Sequence, residues 1–89
     1  MHRLKINFTG RVQGVGFRYT TMQIAAQHEV TGYVKNLSNG SVLVAAEGTQ
    51  AHVSSFLDSI QERMSGYIDN YQIVREQATG EFTNFTIGY

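Results

Sequence analysis

Three glycines in seven residues, closed by an arginine, make one stretch of this 89-residue chain chemically suggestive: Gly10-Arg11-Val12-Gln13-Gly14-Val15-Gly16-Phe17-Arg18. Glycine accepts positive backbone angles that other residues avoid, so such a segment can turn successive N–H groups toward one point. A concave row of donors of this kind holds anions, and a helix opening behind it adds a favourable dipole. Arg18 brings a planar, permanently charged fork suited to two phosphoryl oxygens. The chemistry these residues could perform is phosphate capture.

The same residues also allow a plainer reading. Glycines after a strand often only reverse the chain, and an arginine at a helix start is commonly solvated. Two familiar loops are excluded: no Gly-Lys-Ser/Thr follows, as a Walker A loop requires, and Gly-x-Gly-x-x-Gly is absent. From the residues alone, anion binding and a simple turn both stand.

Other chemistries find little support. The chain has no cysteine, which removes disulfides, a thiolate nucleophile and cysteine-based zinc sites. His2, His28 and His52 share no metal-ligand spacing and read as surface residues, so no metal is expected. Thr20 and Thr21 would cap the first helix or touch the loop. Tyr67, Tyr71 and Tyr89 read as core and sheet surface. Net charge is zero but unevenly spread: residues 1–40 hold five cations against Glu29, and residues 41–89 hold two against six carboxylates. The glycine loop thus lies in the positive half, which favours a small anion. A nucleic-acid platform would want a basic face and exposed aromatics, and Ser41-Val42-Leu43-Val44-Ala45-Ala46 has no aromatic.

These candidates need elements to position them. Residues 3–8 alternate, with Leu4, Ile6 and Phe8 on one face of a half-buried strand. After the loop, a helix is expected from Tyr19 to Gln27, with Met22, Ala25 and Ala26 toward the sheet. Tyr33 to Leu37 reads as a strand, Ser38-Asn39-Gly40 as a turn and Ser41 to Ala46 as the return strand. Thr49 caps a second helix whose Val53, Phe56, Leu57, Ile60 and Met64 form one apolar stripe. Strands at 68–76, with Tyr71 and Ile73 on the apolar face, and at 82–87 complete the chain. The order predicts one α+β domain over residues 1–89: a ferredoxin-like split β-α-β sandwich, largely antiparallel, with two helices on one face. With 42% apolar and 16% charged residues, the composition is globular. The N-terminus is not a signal peptide and no apolar run approaches a membrane span, so a cytoplasmic protein without membrane contact is expected.

With these elements in place, the chain resembles the acylphosphatase family over nearly its whole length. The Gly10–Arg18 stretch carries the resemblance most specifically. Gly32-Tyr33-Val34-Lys35-Asn36 follows at the expected distance, and Thr79-Gly80-Glu81-Phe82 is correctly placed. Three features depart from the family pattern: Gly16 stands where many relatives carry a bulky aromatic, Tyr33 where tryptophan is common, and the link before the fourth strand lacks a Gly-Pro segment.

The resemblance implies hydrolysis of acyl phosphates to a carboxylate and inorganic phosphate. It implies that Arg18 holds the phosphoryl group and that Asn36, otherwise readable as a turn residue, positions the attacking water. Loop amides of Gln13, Gly14, Val15, Gly16, Phe17 and Arg18 would complete the cradle. A carboxylate leaving group, with a pKa of about 4, needs no general acid. Glu29 is the only carboxylate among the first forty residues, so a phosphoryl oxygen of the substrate is expected to take the water's proton. The expected partners are a small-molecule acyl phosphate and phosphate as product, with no cofactor and no nucleic acid, for a chain acting as a monomer. A module of the same fold that binds an anion without turning it over is the competing reading.

Overall fold

The computed structural model describes residues 1–88. Among them are five strands and two helices: β1 (His2–Gly10), α1 (Phe17–Ala25), β2 (Thr31–Asn36), β3 (Val42–Gly48), α2 (Gln50–Arg63), β4 (Ile68–Gln77) and β5 (Phe85–Ile87). The strands form one sheet in the order β4-β1-β3-β2-β5. All neighbours are antiparallel except β2 and β5, which run parallel. This is the expected ferredoxin-like α+β arrangement.

Register explains the core. Leu4, Ile6 and Phe8 pair with Ala46, Val44 and Val42, and Val34 pairs with Val44. Period-2 alternation therefore gathers these side chains on one face of the sheet. Both helices cover that face: Phe17 and Ile24 of α1 join the same buried cluster as Val53, Phe56 and Ile60 of α2. Thr49 caps α2 as expected, its hydroxyl accepting from the His52 N–H at 3.2 Å.

Two expectations shift, for the first helix and for the last strand. The first helix begins at Phe17 instead of Tyr19, and its buried face is Phe17, Thr21, Ile24 and Ala25. Met22 is only half-buried and Ala26 is exposed. The Phe17 ring sets this phase by packing on Phe8, with centroids 5.2 Å apart. Tyr71 and Ile73 share the apolar face as expected, opposite Phe8 and Ile6, and the Tyr71 ring packs on Phe8 with centroids 6.1 Å apart. Because β4 is an edge strand, Tyr71 stays exposed and Ile73 half-buried; Tyr67 is exposed and Tyr89 lies outside the described residues. The last strand is shorter than 82–87, because residues 78–84 carry the chain from one edge of the sheet toward the other.

That crossing is clamped on the sheet face opposite the helices. Glu47 accepts from the Arg3 guanidinium at 2.7 Å and from the Thr79 and Gly80 N–H groups at 3.2 and 3.1 Å. Arg3 also donates to Glu81 and lies over the Phe82 ring, which meets Tyr33 edge-on. The Thr79–Phe82 segment thus acts as a fastening at the start of β1, at the far end from the glycine loop. No helix among the described residues is long and apolar enough to cross a membrane.

Candidate active site

The glycine loop leaves β1 and enters α1 directly. Gly14 and Gly16 both have φ of +77°, and Gly16 is the left-handed N-cap of the helix. A Cβ at Gly16 would meet nothing within 4 Å. Glycine therefore spares the strain that a side chain would meet at this backbone angle, and crowding plays no part. The Thr20 N–H makes the first helical bond to the Gly16 carbonyl at 2.9 Å. With no side chain at the cap, the first-turn N–H groups of α1 keep their donor capacity for a ligand.

A cleft of about 260 Å³ opens at this helix start, lined by Val12, Gly14, Gly16, Phe17, Arg18, Tyr19, Asn36 and Ile87. Arg18 and Asn36 reach it from different elements. Arg18 sits in the first turn of α1, half-buried, with Nη1 donating to the Gly88 carbonyl at 3.1 Å. Asn36 ends β2 on the same face as Val34, opposite Val42 of β3. Strand alternation is what turns Asn36 toward the helix layer while Tyr33 and Lys35 take the other face. The Gly88 N–H in turn donates to the Val34 carbonyl at 2.7 Å, which ties the partner of Arg18 to the strand that carries Asn36.

Of the residues expected at the cradle, the structure brings Gly14, Gly16, Phe17, Arg18 and Asn36 to one cleft. Gln13 and Val15 are not among its lining residues. Val15 packs against the core, and the Gln13 side-chain amide donates to the Leu37 and Ser41 carbonyls at 2.8 and 2.9 Å. Gln13 therefore fastens the loop to the β2–β3 hairpin, just beyond Asn36. Thr21 does not cap the helix and its hydroxyl makes no hydrogen bond to the loop; it is wholly buried on the core side of α1. Val12, Tyr19 and Ile87 line the cleft without having been singled out in the sequence. Tyr19, beside Arg18, carried a signal in its position alone, whereas Ile87 reaches the site only through the β2–β5 pairing.

The lining residues include no carboxylate and no imidazole. His28 contacts Ser59 and the Phe56 ring, and Glu29 lies 3.9 Å from His52, so both belong to other surroundings. Among the described residues, no three His, Cys, Asp or Glu side chains gather in a way that could hold a metal ion.

Comparison with known proteins shows the family. The chain is 34% identical to an acylphosphatase of Oceanobacillus iheyensis, with both sequences covered completely. It is 38% identical to an acylphosphatase of Thermotoga maritima over 100% of this chain and 99% of the relative. Its structure superimposes on the crystal structure of acylphosphatase from Bacillus subtilis with a TM-score of 0.90, at 29% identity and with 100% of both chains covered. The family model described as Acylphosphatase matches residues 4–87, and the chain belongs to the acylphosphatase family.

Proposed function

We propose that this chain hydrolyses acyl phosphates in the Arg18–Asn36 cleft, with Arg18 and the loop amides from Gln13 to Arg18 holding the phosphoryl group and Asn36 orienting the attacking water. The observation that carries this reading is the meeting of Arg18 and Asn36 in one cleft at the uncapped start of α1. Phosphoryl transfer asks mainly for positioning and charge stabilisation, and these are the two things a guanidinium, a helix N-terminus and a side-chain amide at a strand end can supply.

In the step itself, the water oxygen bonds to phosphorus while the bond from phosphorus to the bridging oxygen breaks. The bridging oxygen leaves with the electron pair as part of a carboxylate. The water's proton passes to a phosphoryl oxygen, which fits a cleft whose lining holds no side-chain base. Arg18 balances the charge on the phosphoryl oxygens throughout. No cofactor enters this scheme, and residues 1–89 act as one domain on a small-molecule substrate.

Phosphate release from benzoyl phosphate tests the reading, with phosphate affinity measured in parallel. Arg18→Ala should lose both turnover and phosphate binding. Asn36→Ala should keep phosphate binding while turnover falls on the order of a hundredfold. A wild-type chain that binds phosphate but releases none from benzoyl phosphate would instead establish an anion-binding module.

A further inference from the structure

The apolar residues that line the cleft differ widely in the surface they offer it. Val12 and Phe17 are only 1% and 2% exposed, so they form its floor and offer a ligand almost no area. Tyr19 is 59% exposed, and of the large apolar side chains that stand exposed among the described residues it alone lines this cleft. Ile87, half-buried at the end of β5, is the other apolar lining residue with surface to offer. The loop side is open, since a Cβ at Gly14 or Gly16 would meet nothing within 4 Å.

We propose that Tyr19, together with Ile87, forms an apolar rim that holds the acyl group of the substrate and favours flat hydrocarbon acyl groups over acetyl. The inference rests on the hydrolytic reading of the cleft. In an acyl phosphate, only the bridging oxygen and the carbonyl carbon separate the acyl substituent from phosphorus. A phosphoryl group at the start of α1 therefore sets that substituent beside the first helical turn, where Tyr19 follows Arg18 directly. The cleft is small, about 260 Å³, and Tyr19 is its most exposed apolar wall. A tyrosine ring gives a flat acyl group a rigid face to stack on.

The test compares kcat/KM on benzoyl phosphate and acetyl phosphate for the wild type, Tyr19→Ala and Tyr19→Phe. Tyr19→Ala should lower the benzoyl-to-acetyl ratio about five- to tenfold, with the change in KM for benzoyl phosphate and kcat within about twofold. Tyr19→Phe should keep the ratio, because the ring face and not the hydroxyl makes the contact. An unchanged ratio in Tyr19→Ala, or an equal drop in Tyr19→Phe, overturns the rim. A wild type inert on both substrates overturns the hydrolytic reading itself, and the rim with it.

Discussion

Arg3 and Glu47 stand directly opposite each other on β1 and β3, Nε to Oε2 at 2.7 Å, with their side chains 10% and 5% exposed. The pair matters because it also anchors the start of the crossing from β4 to β5: the Glu47 oxygens take the Thr79 and Gly80 N–H groups. Glu47→Ala leaves Arg3 with Glu81, which is largely exposed, and strips two backbone donors of their acceptor. Breaking one side of a buried pair in this way costs about 3 kcal/mol, so urea unfolding should show a loss of that size. A loss below about 1 kcal/mol would mean that water replaces the carboxylate freely.

The same carboxylate makes stability depend on acid. Burial pushes its pKa up, but the hydrogen bonds from Thr79, Arg3 and Gly80 together outweigh burial and hold it below the ordinary value of 4.5. The folded state therefore binds fewer protons at this site than the unfolded chain. Its contribution is complete above the unfolded value and is lost as pH falls through the folded one. The urea midpoint should fall below about pH 4.5, and Glu47→Gln should flatten that acid limb. An equally steep limb in the variant would assign the acid sensitivity to other carboxylates.

The strands and α2 were legible because their apolar residues repeat with clear periods, as Leu4-Ile6-Phe8 and Val53-Phe56-Leu57-Ile60 do. The start of α1 was misplaced for a local reason: a left-handed Gly16 lets the helix begin at once, and nothing in its periodicity reveals that. The site was partly legible for the same kind of reason. Arg18 belongs to a local motif, and Asn36 could be assigned a role only through family resemblance. Ile87 and the Gly88 carbonyl depend on a parallel pairing of segments some fifty residues apart, which no local pattern encodes. Glu47 lies just past the expected strand end at Ala46, and no local pattern signals that Thr79 and Gly80, some thirty residues on, fasten to it.

Gln13 offers a test of how far positioning matters. Its amide bridges the glycine loop to the Leu37 and Ser41 carbonyls, and so sets the distance between the cradle and the strand end that carries Asn36. Both carbonyls keep a backbone donor, from Gly40 and Leu37, so Gln13→Ala should cost only about 1 kcal/mol of stability. The kinetic effect should be larger. A cradle free to drift relative to the water-positioning residue should lower kcat about tenfold while leaving phosphate affinity within about twofold. Unchanged kcat would show that loop and hairpin hold their spacing without the bridge.

Thr21 presents the opposite case, a polar atom from which the fold gains nothing visible. Its hydroxyl is fully buried on the core side of α1 and makes no hydrogen bond. Leaving a buried hydroxyl unsatisfied costs about 1–3 kcal/mol relative to an apolar group of the same shape. Valine keeps the branched shape and has nearly the same helix propensity, so Thr21→Val changes little besides the polarity. The variant should gain about 1 kcal/mol and melt about 4–8 °C higher. Its kcat should stay near the wild-type value, because Thr21 does not line the cleft. A drop in melting temperature would show that the hydroxyl has a partner, and a buried water would be the one to seek.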